Sequence, residues 1–369
     1  MTKHNFRLLD IYSDYLLSSF GATTATGLSR LLPELSHDQV TPMLTQQPLT
    51  DRDLWQIVKP QVRQVQSQDA VLIIDDTVQE KPYTDESELI CWHYDHSQGR
   101  TVKGINLLSA LYLSRDVSLP VAFELIQKTL LTTDPKTGKD KWVCPQTKNE
   151  MARQMIGAVQ KKQIPFRYVL ADIWFASADN MVFIKKTAHK EFVMPLKSNR
   201  RVALSLNDQR RGRWISLWSL DFAAQASWTL YLESVPFPVM VVRVPVMVVR
   251  EVFTNEDGTE GVLLLCSSDL ELSASALLPI YQKRWKVEEY HKSLKSNAAL
   301  AKSPTKLPHT QHNHIFASLV AFIKLESYRC ATHLNHFALK AKLYQGAIQA
   351  AFEQLQLLKN NHPKVAITS

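Results

Sequence analysis

Val71-Leu72-Ile73-Ile74-Asp75-Asp76-Thr77 is the stretch on which the reading of the fold turns. Four aliphatic residues in a row, with no polar alternation, read as a strand buried on both faces, inside a sheet covered by helices. The acids that end the run then fall at the carboxyl edge of that sheet, where α/β proteins build their sites. Outward along the chain, 105–113 and 119–126 read as two further strands, joined by a turn at Ser114-Arg115-Asp116. An amphipathic helix follows over 148–162, with Met151, Met155, Ile156 and Val159 on one face. Residues 166–171 form a strand ended by Asp172, 178–186 a helix and 191–195 a fifth short strand. The order is three strands, helix, strand, helix, strand: an α/β chain.

The flanks differ in character. Residues 1–69 read as helical, with Ser36-His37-Asp38-Gln39 and Thr50-Asp51-Arg52-Asp53 resembling capping boxes. DNA contacts and plain packing stay equally open for this module. Residues 198–262 read as a β-rich insertion, carrying Trp214, Trp218 and Trp228, an alternating segment over 228–233 and a turn at Gly258. It contains a doubled hexapeptide, Pro238-Val-Met-Val-Val-Arg243 and Pro245-Val-Met-Val-Val-Arg250, too few copies for a solenoid. Residues 263–267 return to the core as a strand, and 277–296 read as one long helix. Residues 315–358 are helical with a polar joint at Asn335-His336, for self-association or for packing. The expected division is 1–69 helical, 70–197 first part of the core, 198–262 insertion, 263–314 second part of the core and 315–369 helical.

The 369 residues suffice for two or three domains. With 45% hydrophobic and 21% charged residues, wholesale disorder is excluded, and 10 glycines and 17 prolines exclude collagen-like or linker-dominated chains. Cys91, Cys144, Cys266 and Cys330 form no CxxC pair, so a zinc knuckle is excluded and four reduced thiols of a cytosolic protein are expected. The first twenty residues hold Asp10 and Asp14 without a continuous apolar run, unlike a signal peptide. The apolar stretch 235–249 is broken by Arg243, Pro236, Pro238 and Pro245, so no membrane span is expected. No phosphate-binding loop, dinucleotide fingerprint or G-x-S-x-G elbow stands in a supporting context.

The chemistry points elsewhere. Asp75 or Asp76 ends one buried strand, Asp172 ends another, and Glu288 lies in the helix Tyr281-Gln-Lys-Arg284-Trp-Lys-Val-Glu288-Glu-Tyr-His-Lys-Ser-Leu-Lys295. At about 100° per residue, Tyr281, Arg284, Glu288 and Lys295 share one narrow stripe, with Lys292 at its other margin and Val287, Tyr290 and Leu294 opposite, set to pack on a sheet. Carboxylates without a Cys/His cluster suit Mg²⁺ or Mn²⁺, and two such ions serve phosphoryl transfer. The net charge of +8 is concentrated. Lys190, Lys197, Arg200, Arg201, Arg210, Arg211 and Arg213 cluster before the insertion's body, and Lys283, Arg284, Lys286, Lys292, Lys295, Lys302 and Lys306 after it, which reads as a DNA path. Cys91-Trp-His93-Tyr-Asp95-His96 reads as a polar loop rather than a metal site, and His309, His312 and His314 as a surface linker.

These residues resemble the IS4 superfamily of DDE transposases, the group of the IS50/Tn5 enzyme. Its Y-x2-R-x3-E-x6-K signature is met by Tyr281, Arg284, Glu288 and Lys295; its second motif is similar to Tyr168-Val-Leu-Ala-Asp172, and its first to Asp75-Asp76-Thr77. The resemblance implies an RNase H-like mixed sheet with a β-rich insertion between the second Asp and the Glu. It implies Asp75, Asp172 and Glu288 as metal ligands, with Asp76 as the alternative to Asp75, and Tyr281, Arg284 and Lys295 as contacts to a phosphate at the element's end. Lys292, Lys197, Arg200 and Arg201 extend that DNA track. Partners implied are the terminal inverted repeats and target DNA, with a homodimer acting on paired ends in the bacterial nucleoid. A Trp that stacks on a flipped base in the IS50 enzyme corresponds to an aliphatic position near Val262. The competing readings are an inactive DNA-binding remnant or inhibitor, and another RNase H-like nuclease.

Overall fold

The computed structural model describes residues 3–95, 98–245 and 262–361. In chain order the strands are β1 Val71–Glu80, β2 Cys91–Asp95, β3 Arg100–Ser114, β4 Val117–Leu125, β5 Leu130–Thr133, β6 Asp140–Val143, β7 Tyr168–Ala171, β8 Glu191–Leu196, β9 Arg201–Ala203, β10 Ile215–Ser216, β11 Ser227–Leu232, β12 Pro238–Pro245 and β13 Val262–Ser267. The helices are α1 Lys3–Ser18, α2 Ala25–Leu31, α3 His37–Thr45, α4 Asp51–Val65, α5 Lys148–Lys161, α6 Ala178–Val182, α7 Leu206–Arg210, α8 Ala274–Gln282, α9 Lys286–Ser296, α10 Pro308–Thr332 and α11 His336–Asn361. The chain divides into two compact units, one of residues 54–289 and one of residues 1–53 with 290–369.

In the larger unit, β1 lies antiparallel to β3, and β3 antiparallel to β4. On its other side β1 runs parallel to β7, and β7 parallel to β8. The core order β4-β3-β1-β7-β8, a meander followed by two strands parallel to the first, is the RNase H-like arrangement. The meander closes at Arg115 and Asp116, with φ of 50° and 63°, the left-handed pair of a tight two-residue turn. Beyond β8 the sheet continues through β13, β12, β11, β9 and β10, so the strands of the insertion extend the core sheet edge to edge. Helix α5 starts at a capping box, with Thr147 and Glu150 satisfying each other's main-chain N–H, and packs across β3 and β4.

β1 does not end at its acids. Its parallel ladder with β7 stops at Ile74 opposite Ala171, but its antiparallel ladder with β3 carries Asp75 opposite Ser109 and runs on to Glu80. Asp75 and Asp172 are therefore the residues directly after the last paired positions of two adjacent parallel strands.

Three expectations are corrected. The helix over 277–296 is two helices, α8 and α9, separated by a 3₁₀ turn at Lys283–Trp285, so a uniform 100° step does not hold through Arg284. Residues 91–95 are a strand, not a loop: paired with the start of β3, Cys91 and His93 turn inward and Trp92 and Tyr94 outward. The His309–His314 stretch belongs to α10, begun by Pro308 in its first turn. His314 is fully buried there, its ring bonded to the Tyr12 hydroxyl at 3.1 Å and the Ala299 carbonyl at 2.9 Å. The second copy of the doubled hexapeptide and the Gly258 turn lie outside the described residues.

The smaller unit is helical. α1 and α3 pack on α10 through Tyr12, Leu16, Val40 and Phe316. Tyr290 packs edge-on against Phe322 of α10 with ring centroids 4.8 Å apart, so this residue of the helix stripe meets a helix rather than a sheet. On α11, Phe337, Ala341, Tyr344, Ile348, Ala351, Leu355 and Leu358 recur with alternating spacings of four and three, and all are exposed. Among the described residues, no helix is long and apolar enough to cross a membrane.

Candidate active site

Asp75 is buried, 7% exposed, and its Oδ2 accepts from Arg284 Nη1 at 2.8 Å. The other arm of the same guanidinium, Nη2, stands 3.4 Å from Glu288 Oε1, one helical turn further on. Arg284 also lies 5.9 Å from the centre of the Tyr281 ring. Tyr281, Arg284 and Glu288 thus converge with Asp75 even though the 3₁₀ turn interrupts the helix.

Asp172 is fixed by its own loop: its Oδ1 accepts from the main-chain N–H of Trp174 at 2.9 Å and of Phe175 at 3.4 Å. The electrostatics report the crowding. Burial pushes Asp75 up to about 7, and Asp172, Glu288 and Asp76 push the same way against Arg284. Burial also raises Asp172, opposed by the Trp174 N–H and Arg284. Burial works against the Arg284 charge, but Tyr281, Asp75, Glu288 and Asp172 outweigh it and hold the group above its ordinary value.

Strand alternation separates the doubled acid. Asp75 turns toward Arg284. Asp76 Oδ2 instead accepts from Lys148 Nζ and Asn106 Nδ2, both at 2.7 Å. Lys148 and Asn106 escaped the sequence reading, because nothing local marks a partner 72 or 30 positions away.

The basic residues are spread. Lys197 and Arg201 are exposed beside the carboxyl end of β8. Arg200 is half-buried, its Nε and Nη2 shielded from solvent without a hydrogen-bond partner among the described residues. Lys292 and Lys295 sit on α9 beyond Glu288, the first exposed with its ammonium 5.2 Å from the Phe337 ring centre, the second half-buried.

The sequence of residues 1–230 matches the family of DDE superfamily endonucleases. The chain belongs to the DDE superfamily endonucleases. The matched span includes Asp75 and Asp172, while Glu288 lies beyond it. No curated protein matches the sequence. Among solved structures, the strand transfer complex of the Drosophila P element transposase is similar at 8% identity, over 96% of this chain and 86% of that one, with a TM-score of 0.25, too low to carry an argument.

DDE superfamily endonucleases generally depend on divalent metal. The donors of this endonuclease fit such an ion in kind: hard oxygens, partly buried, with Asp75 burdened by neighbouring negative charge. Among the described residues, however, no three Asp, Glu, His or Cys side chains are gathered closely enough to hold one ion. Arg284 stands between Asp75 and Glu288, as a cation supplied by the endonuclease itself.

Proposed function

We propose that this endonuclease is a transposase of the IS4 superfamily, which cuts the ends of an insertion sequence and joins them to target DNA in the bacterial cytoplasm. The observation that carries the reading is the convergence of Asp75 with Arg284 and Glu288, 209 positions apart for the Asp75–Arg284 pair. Three of the four residues of the Y-R-E-K signature meet the strand acid that the same resemblance names. Asp75, Asp172 and Glu288 would hold two Mg²⁺ or Mn²⁺ ions. Such ions, when bound, stabilise the attacking and leaving oxygens of an in-line displacement.

The protein's own groups divide the remaining work. Asp75 and Asp172 present oxygens side by side at one sheet edge, and Glu288 adds a third from α9. Arg284, with Tyr281 beside it, offers a bidentate donor to a DNA phosphate once it leaves the carboxylates. Lys197, Arg201, Lys292 and Lys295 add phosphate contacts, which position the duplex without reading its sequence. Arg200 joins them where DNA approaches its guanidinium. The helical region 1–69 contributes to binding the terminal repeats, and 315–369 to a homodimer, consistent with the exposed seven-residue repeat on α11.

A second reading, a DNA-binding form without catalysis, is favoured by the neutralisation of Asp75 and Glu288 by Arg284. One experiment separates the two. The purified protein is incubated with a supercoiled plasmid carrying the element's own ends, with Mg²⁺ or Mn²⁺. Cleavage at the ends, lost in Asp172→Asn and Glu288→Gln while DNA binding persists, supports the transposase. Binding without cleavage in either metal supports the inhibitor.

A further inference from the structure

Trp174 is half-exposed, two residues from Asp172, in a loop that has every means to bury an aromatic ring. Its neighbour Phe175 does so, at 2% exposed, while the Trp174 indole remains 50% exposed. The loop is held at both ends. The Trp174 N–H donates to Asp172 Oδ1 at 2.9 Å, and Asn180 Nδ2 donates to the Phe175 carbonyl at 2.9 Å. Ser177 then caps α6, its side chain accepting from the Asn180 N–H. The indole is therefore displayed from a stiff support, at a set distance from an acid of the candidate active site.

A cation accompanies it. Lys197 Nζ lies over the indole, 4.8 Å from the ring centre. Lys197 directly follows Leu196 at the end of β8, and β8 pairs in parallel with β7, which Asp172 directly follows. The carboxylate, the indole and the ammonium thus share the carboxyl edge of two neighbouring strands, with Arg201 exposed nearby along the chain.

We propose that Trp174 and Lys197 form a nucleotide platform, on which one unpaired base of a DNA strand stacks against the indole while Lys197 takes the adjoining phosphate. The base must be unpaired and splayed, because within a duplex both of its faces are covered by neighbouring bases. Every base has a π face, so the platform accepts any of them, and the lysine adds a charge contact indifferent to sequence. A stiff aromatic loses little freedom on binding, which favours this use over that of a flexible side chain. The placement beside Asp172 rests on the endonuclease reading of the site; the stacking itself does not.

The test uses the full-length protein and two labelled probes of equal length: a short oligothymidylate and an abasic phosphodiester that keeps the charges but lacks the bases. Binding is followed by fluorescence anisotropy, without divalent metal. The wild type prefers the thymidylate by about 5- to 150-fold, the range of one base stacked on one aromatic ring. Trp174→Ala removes that preference and leaves abasic binding unchanged. Trp174→Phe, which keeps an aromatic face, retains most of it and guards against loss of fold. Lys197→Ala weakens both probes alike and lowers the salt slope by about 0.7, the value for one single-strand phosphate contact. A wild type without preference, or Trp174→Ala with the preference intact, overturns the platform. Failure of end cleavage in the plasmid assay would remove the transposase reading and leave this result standing, so the two failures are distinguishable.

Discussion

The Arg284 guanidinium bridges Asp75 Oδ2 at 2.8 Å and Glu288 Oε1 at 3.4 Å, so one cation of the chain ties a central strand to the helix that follows the insertion. A divalent ion seeks the same oxygens. The two occupants exclude each other, and a DNA phosphate is the alternative partner that would draw the guanidinium away.

Arg284→Gln is accordingly expected to bind Mn²⁺ more tightly than the wild type in the absence of DNA, by about tenfold or more if one buried charge contact is worth at least 1.4 kcal/mol. Electron paramagnetic resonance of free against bound Mn²⁺ reads this directly. The double variant Arg284→Gln/Asp75→Asn should lose the gain. Equal Mn²⁺ affinity in Arg284→Gln and wild type would show that Arg284 does not compete for the acids.

The doubled acid has two different fates. Asp75→Asn is expected to abolish metal-dependent end cleavage, since Asp75 faces Glu288 through Arg284. Asp76→Asn, bonded away toward Lys148 and Asn106, should keep cleavage within about tenfold of wild type and act mainly on stability, at about 1–3 kcal/mol for a broken charged hydrogen bond. Rates of cleavage and melting temperatures, measured on both variants, decide which aspartate belongs to the site. Loss of cleavage in Asp76→Asn alone would reverse the assignment.

The pH dependence of the metal-free protein follows from Asp75. Burial and its acidic neighbours raise its folded-state value from 3.8 to about 7. A raised acid contributes stability that is fully present below the unfolded value and is lost as pH rises through the folded one. With metal chelated, the wild type should therefore lose melting temperature between about pH 4 and pH 7, and Asp75→Asn should lose much less. The gap between the two proteins at pH 8, relative to pH 5, is expected at about 2–4 kcal/mol. Parallel melting curves for the two across that window would show that Asp75 titrates normally.

The exposed repeat on α11 predicts self-association. Ile348 and Leu355 are 49% and 48% exposed and lie on one face with Tyr344 and Leu358. A seven-residue apolar repeat over three turns and more matches the seam of paired helices. Ile348→Asp/Leu355→Asp should shift the protein from dimer to monomer in sedimentation equilibrium without lowering its helix content. A wild type that sediments as a monomer at micromolar concentration would remove α11 as a dimer seam.

Much of the core was legible because local physics writes it. β1, β3, β4, α5, β7 and β8 follow from runs of apolar residues, a capping motif and a polar turn, each set by neighbours within a few positions. The break between α8 and α9 was not, since 281–295 shows an unbroken helical pattern and the 3₁₀ turn at Lys283–Trp285 is settled by tertiary packing. His314 read as surface because its polar flanks hid the Tyr12 hydroxyl and Ala299 carbonyl that satisfy it in the interior.

What the sequence determined by itself was the inventory: the strands, the acids at their ends and the Tyr-Arg-Glu-Lys spacing, all products of short-range periodicity. Only the tertiary structure decided the pairings. Strand alternation combined with the sheet register turns Asp75 toward Arg284 and Asp76 toward Lys148. The end of the β1–β7 ladder puts Asp75 level with Asp172. Display of Trp174 with Lys197 over its ring depends on two parallel strands ending at one edge. Such contacts join residues tens to hundreds of positions apart, where closure of the whole chain, rather than any local preference, brings the side chains together.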